Sequence, residues 1–161
     1  MANLFPVNAY CFDTNILIDL FRRKYPSDVF DTLWKNIELE ITAGRIMIPR
    51  EVMREIETND DELLKWLKTR QGVLVRTPDI QQFQHVQDIL KIFPRLIDPN
   101  KTVPDADPFL IALAMAEKAT VVTSENFSGV GSRPKIPNVC THFGVRYLSL
   151  VDYFRDKKWK H

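Results

Sequence analysis

Apolar residues along the chain fall into two patterns, short continuous runs and longer stretches in which they return every three or four positions. The first pattern marks buried strands and the second amphipathic helices. Their sharpest junction is Tyr10 to Leu20. There the run Tyr10-Cys11-Phe12 meets Asp13-Thr14-Asn15, and Ile16, Leu17 and Leu20 then recur at helical spacing. This predicts a buried strand turning directly into a helix that reaches about Arg23. Tyr25-Pro26-Ser27-Asp28 breaks that helix and caps the next, whose Val29, Phe30, Leu33, Trp34, Ile37 and Ile41 share a face until Gly44 ends it. Ile46-Met47-Ile48 is a second short strand, with Pro49 in the first turn of a helix from Arg50 to about Glu57.

Thr58-Asn59-Asp60-Asp61 reads as a loop and cap before a helix carrying Leu63, Leu64, Trp66 and Leu67 up to Gly72. Val73-Leu74-Val75 is a candidate edge strand. Asp79 caps a helix with Ile80, Phe83, Val86, Ile89, Leu90 and Phe93 on its buried side, and Pro94 ends it. Asp98 to Pro108 holds three prolines and is a loop, delivering Asp105 and Asp107 to the mouth of a helix. That helix, Phe109 to Ala116, is apolar nearly all round and therefore buried. Thr120-Val121-Val122-Thr123 is the next core strand, ending at Ser124-Glu125-Asn126, with a Gly/Ser/Pro-rich loop through Asn138. Val145 to Leu148 is a last short strand, and Val151 to Phe154 begins a terminal helix. Strands alternating with helices predict an α/β fold with a parallel sheet covered on both faces, in one domain over residues 1–161.

A chain of 161 residues with 45% hydrophobic and 27% charged positions suits one globular domain. The formal net charge of +1 excludes the whole-molecule field of a histone-like or membrane-surface protein. Any polyanionic partner must be held by local patches and metal ions. Cys11 and Cys140 make no disulfide framework, and Cys11 sits in a core strand as a small hydrophobe. Met1 to Pro6 lacks the basic and apolar regions of a signal peptide, and no apolar run nears the ~18 residues of a membrane span. A soluble, cytoplasmic protein with no membrane partner is expected.

Asp13, Glu55, Asp107 and Glu125 each lie at or just past a strand end or a helix start, on what should be one edge of the sheet. Ligands of open α/β sheets bind beyond the carboxyl ends of the strands. Oxygen ligands clustered without Cys or His select Mg²⁺ or Mn²⁺ rather than Zn²⁺, the arrangement of metal-dependent phosphodiester cleavage. Each residue also has a plain structural reading. Asp13 is a good N-cap, Asp107-Pro108 is close to an ideal helix start, and Glu125 suits a surface turn. Glu51 or Glu57 competes with Glu55 to face the site. His85 and His142 lack metal-ligand spacing, and Gly129 to Lys135 lacks the Gly-Lys-Ser/Thr ending of a phosphate loop. Arg133 and Lys135 are placed to touch an RNA backbone at the rim of the site, and Arg22-Arg23-Lys24 is a further basic patch or a solvated helix end.

Four segments taken together, Phe12-Asp13-Thr14-Asn15, Ile48-Pro49-x-x-Val52-x-x-Glu55-Ile56, Asp105-x-Asp107-x-x-Leu110-Ile111-Ala112 and Val122-Thr123-Ser124-Glu125-Asn126-Phe127, resemble the PIN-domain nucleases in their order. Lys135 to Cys140, Gly144-Val145 and the tail Leu148 to Phe154 resemble a bacterial and archaeal branch of that family that includes VapC-type toxins of toxin–antitoxin pairs. The resemblance implies a three-layer α/β/α domain with a central parallel sheet of four to five strands. It implies that Asp13, Glu55, Asp107 and Glu125 bind one or two Mg²⁺ or Mn²⁺ ions, with Asn15 and Thr123 orienting them by hydrogen bonds. Asp105 would add a carboxylate or hold its loop. Glu125 stands where the family more often has Asp, and its longer side chain allows ligation through water. The implied activity is endoribonuclease cleavage by a water activated at the metal, with no covalent protein intermediate, in a homodimer inhibited by an antitoxin protein. Two other readings are open: a non-catalytic PIN scaffold binding RNA or protein, and a phosphatase of the haloacid dehalogenase type. The last requires a second Asp two residues after Asp13, where this chain has Asn15.

Overall fold

The computed structural model describes residues 8–58, 61–102 and 105–160. The Asn59-Asp60 cap and the Val103-Pro104 part of the proline-rich loop lie outside these residues. Five strands, β1 (Tyr10–Phe12), β2 (Ile46–Pro49), β3 (Val75–Arg76), β4 (Thr120–Val122) and β5 (Tyr147–Leu148), form one sheet in the order β3-β2-β1-β4-β5. Every pairing is parallel, with Cys11 opposite Met47 on one side and Val121 on the other. Residues of β1, β2 and β4 are buried throughout, which is why these strands are continuous apolar runs without a polar face. The chain winds from β1 to one edge and returns past β1 to the other, so the strand order reverses between β1 and β4. That switch point is where open α/β sheets present their crevice.

The helices cover the two faces. They are α1 (Thr14–Ile18), prolonged by a π-helical turn over Asp19–Arg23, then α2 (Asp31–Thr42), α3 (Arg50–Glu57), α4 (Asp61–Lys68), α5 (Gln71–Leu74), α6 (Ile80–Ile92), α7 (Asp107–Glu117), α8 (Ile136–Phe143) and α9 (Leu150–Asp156), with a 3₁₀ turn at Pro94–Leu96. α7 is packed on most of its circumference, as its composition requires, and Leu110 to Ala114 are buried without exception. α9 is fastened beneath β1 by Tyr153, whose ring meets those of Tyr10 and Phe12 edge-on at 4.7 and 5.1 Å.

Several expectations are corrected. Asp28 caps nothing: Pro26 to Val29 form a separate turn, Val29 is exposed, and α2 begins only at Asp31 with no side-chain cap. Pro49 closes β2 instead of entering α3. Of Val73-Leu74-Val75 only Val75 is in the edge strand. Leu74 is drawn into the core by the helical turn α5, and β3 starts two residues later at the sheet edge. α6 is rotated relative to its apolar periodicity, since Gln82, Val86 and Ile89 face inward while Ile80 and Phe83 are 79% and 43% exposed. The loop expected through Asn138 ends earlier, because α8 begins at Ile136 with Pro137 in its first turn and is stopped by Gly144 at φ +69°. The last strand is shortened to Tyr147–Leu148.

Candidate active site

Asp13 follows β1 at the switch point, its amide hydrogen-bonded to the carbonyl of Val122 at the end of β4. Both readings of this residue hold together. Oδ1 accepts the Thr14 amide at 2.7 Å, capping α1, while Oδ2 accepts the Thr123 hydroxyl at 3.0 Å. The Thr123 oxygen in turn accepts the amide of Glu125 at 3.1 Å, which fixes the turn after β4. Glu55 comes across from α3. Its Oε2 accepts the Thr14 hydroxyl at 2.7 Å and its Oε1 the Ala106 amide at 2.8 Å, so one carboxylate ties α1, α3 and the start of α7. Glu125 Oε2 accepts the Ile136 amide at 2.9 Å in the first turn of α8. Asp107 is the first residue of α7 and not its cap, since Ala106 holds that position.

These four carboxylates line one cavity of about 700 Å³, together with Thr14, Asn15, Arg22, Arg23, Lys101 and Asp105 among others. Glu51, the alternative to Glu55, is instead buried beside Arg50, and Glu57 is exposed. Burial, and after it the charge of Glu125, pushes the Asp13 carboxyl up to about 7, against the lowering pull of its bonds from Thr123 and Thr14. Asp107 is pushed up to about 8, first by burial and then by Asp13, Glu125, Glu55 and Asp105. The fold therefore forces acids together that would separate in water.

The donor set is all oxygen, with no His or Cys in the lining, and its chemistry fits Mg²⁺ or Mn²⁺. The carboxylates are turned onto backbone amides and hydroxyls, and in this arrangement no group of three or more acidic, His or Cys side chains among the described residues stands ready to hold an ion.

Thr123 donates its hydroxyl to Asp13, and Asn15 lies exposed at the rim. Asp105 is occupied with its loop: it accepts the Asp98 amide at 2.7 Å and the Lys101 ammonium, and Arg133 stands 3.8 Å away. Arg133 donates to the carbonyls of Arg95 and Leu96 at 2.8 and 3.0 Å. With Lys135 and Lys101 it borders a smaller space that shares Asp107 and Glu125 with the acidic cavity, so both cations do reach the rim. Sequence reasoning missed Thr14 as the partner of Glu55 and the place of Lys101 in the wall, and left Arg22 and Arg23, which line the cavity, between a basic patch and a solvated helix end. The 41 positions that separate Thr14 from Glu55 hide that pairing from any local pattern. Arg22 and Arg23 are aimed by the π-helical turn, a feature frequent at functional sites and invisible to a 3.6-residue period.

Thr14→Val keeps the shape of a nearly buried side chain and removes the hydroxyl that holds Glu55. It is expected to lower divalent-ion affinity about tenfold, as loss of a partner behind a ligand does. Calorimetric titration with Mn²⁺ checks this, and an unchanged affinity would show Glu55 to be positioned without it.

A family model described as "Domain of unknown function (DUF4411)" matches residues 10–161. No curated protein matches the chain. Among solved structures, a chain of VapBC2 from Rickettsia felis, crystallised bound to a DNA fragment from their promoter, aligns with a TM-score of 0.53 at 18% identity, over 88% of this chain and 98% of that one. A toxin–antitoxin complex from Klebsiella pneumoniae aligns with a TM-score of 0.43 at 17% identity, over 76% and 93%. The likeness to the Rickettsia felis chain shows the fold: a PIN-like three-layer α/β/α arrangement around a parallel sheet.

Proposed function

This chain belongs to the DUF4411 family, and we propose that it is a metal-dependent endoribonuclease, the toxin of a toxin–antitoxin pair. The observation that carries the reading is the convergence of Asp13, Glu55, Asp107 and Glu125 in one cavity at the strand-order switch point. A domain gains nothing in stability from setting buried acids together, and the raised carboxyls of Asp13 and Asp107 measure that tension. When bound, one or two Mg²⁺ or Mn²⁺ ions supply neutralisation of the developing phosphate charge and a low-pKa water. The chain's own part is to hold Asp13 by Thr123, hold Glu55 by Thr14, and present Asp107 from a helix too buried to shift. Asn15 sits at the cavity mouth, within reach of a bound substrate.

The Rickettsia felis neighbour is a VapBC2 assembly on promoter DNA, and a comparable assembly is proposed for this chain: a homodimer, cytoplasmic, bound and silenced by an antitoxin protein. No helix among the described residues is long and apolar enough to cross a membrane. The competing reading, a non-catalytic scaffold, draws on the use of Glu55 and Glu125 to tie backbone amides.

Purified protein incubated with total cellular RNA decides between them. Cleavage with Mg²⁺ or Mn²⁺ that EDTA stops is expected. Folded protein that neither cuts RNA nor binds a divalent ion would overturn the nuclease and leave the scaffold.

A further inference from the structure

The acidic cavity does not end at its own rim. Lys101, Asp105, Asp107 and Glu125 also line an adjoining space of about 190 Å³, whose further wall holds Arg133 and Lys135. That space meets, at Pro134, a third cavity of about 300 Å³ between the end of α6 and the 128–138 segment. The third cavity is mostly apolar, with Ile92, Phe93 and Pro94 on one wall and Gly129 and Ser132 on the other. Carboxylates, cations and an apolar recess are therefore neighbours in the fold, linked by shared walls.

Both walls of the recess are held in place. Arg133 clamps the 128–138 segment to the 3₁₀ turn by donating to the Arg95 and Leu96 carbonyls. Asn138 closes the segment on itself, accepting from the amide and hydroxyl of Ser128 at 3.1 and 2.9 Å and donating to the Ser128 carbonyl at 3.1 Å. Ile92 in its wall is left half in solvent, at 50% exposure. An isolated apolar residue on a surface is ordinary, but this one lines a recess that adjoins a site of stated chemistry.

A single nucleic-acid strand presents the same sequence of chemistry, a phosphate, the next phosphate, and between them a flat apolar base free to turn outward. We propose that the recess seats the nucleobase of the nucleotide beside the cleaved bond, with Lys135 and Arg133 on its phosphate. A base enters the recess only after leaving its stack, so the strand is unpaired at that nucleotide. This rests on the endoribonuclease reading and adds to it the strand's path and the seat of one base. The shape of the recess would contribute to selecting the base, since Ser128 and Asn138 in its wall are engaged with one another.

Ser132→Trp fills the recess from an exposed position, so the variant should fold. Lys135→Glu reverses one phosphate contact. Two assays apply to wild type and both variants: cleavage of random-sequence oligoribonucleotides, single-stranded and duplexed, with Mn²⁺, and anisotropy of a labelled single strand in EDTA across a salt series. Wild type should cut single strands at least about tenfold faster than duplex, with a base bias beside the cut. Ser132→Trp should lose that bias and bind about tenfold more weakly, as loss of one stacked base does. Lys135→Glu should weaken all sequences alike and reduce the salt slope by about 1. A Ser132→Trp protein with wild-type bias and affinity overturns the recess and returns it to other occupants, such as a protein segment, while leaving the nuclease standing. Wild type that neither cuts nor binds RNA overturns both together.

Discussion

Asp107→Asn is expected to abolish metal-dependent RNA cleavage and at the same time to make the metal-free protein more stable. Asp107 opens the buried helix α7 beside Asp13, Glu55 and Glu125, and burial with their charges pushes its carboxyl up to about 8. The amide keeps the size and removes the charge. A carboxyl raised in the folded state favours folding fully at pH below its ordinary range, and that contribution is lost as pH climbs through the raised value. Wild type in EDTA should thus weaken toward alkaline pH while the variant does not. The variant's advantage should grow to roughly 1–2 kcal/mol between about pH 5 and about pH 9. Cleavage with Mn²⁺ should fall on the order of 10³-fold. Asp13→Asn should lose cleavage as fully but gain less stability, because its carboxylate accepts both the Thr14 amide and the Thr123 hydroxyl, and an amide nitrogen can accept neither. Melting curves in EDTA across pH, beside cleavage assays, test the pair. An Asp107→Asn protein that still cuts at the wild-type rate would remove this residue from the site.

The second large effect lies on the opposite side of the fold. Glu40 of α2 is nearly buried and accepts two hydrogen bonds from Arg45 at 2.8 Å each and one from Lys157 at 2.8 Å. It thereby joins α2, the entry to β2 and the end of α9. Glu40→Gln keeps the shape and cannot satisfy both cations, so a loss of about 2 kcal/mol, or roughly 4–8 °C in melting temperature, is expected at neutral pH. The Arg45 hydrogen bonds, with Lys157, hold the Glu40 carboxyl below its ordinary value of 4.5. A carboxyl lowered in the folded state contributes fully above that ordinary value and loses the contribution as pH falls through the lowered one. The difference between wild type and Glu40→Gln should therefore close under acid conditions. A gap that is constant from neutral to strongly acid pH would show the ion cluster to be incidental.

Much of this protein can be read along the chain. The short core strands announce themselves because β1, β2 and β4 are buried on both faces and so show no alternating polar face. Asp13 and the Asp107-Pro108 pair stand at junctions where one period stops and another starts, so their places at the strand and helix ends were legible as well. α8 was not expected at all: Pro137 and Gly144 do mark its two ends, but the Gly/Ser/Pro-rich loop before it drew the eye past them. Val73 to Val75 and the face of α6 misled for a common reason. A run of three apolar residues suits either secondary structure, and the face that turns inward is set by what packs on it, here with α7 against α6 and with Gln82, Val86 and Ile89 buried.

What the sequence by itself determined is the succession of elements, the parallel sheet and the acids at its edge, since each follows from local periodicity and turn chemistry. What only the tertiary structure decided is which groups meet: Thr14 with Glu55 across 41 residues, Ala106 with the same carboxylate across 51, and Arg133 with the carbonyls after α6. Local pattern carries no record of these pairs. They arise where the strand order reverses between β1 and β4, a choice made when distant elements pack and bring their unpaired polar groups within hydrogen-bonding reach of one another.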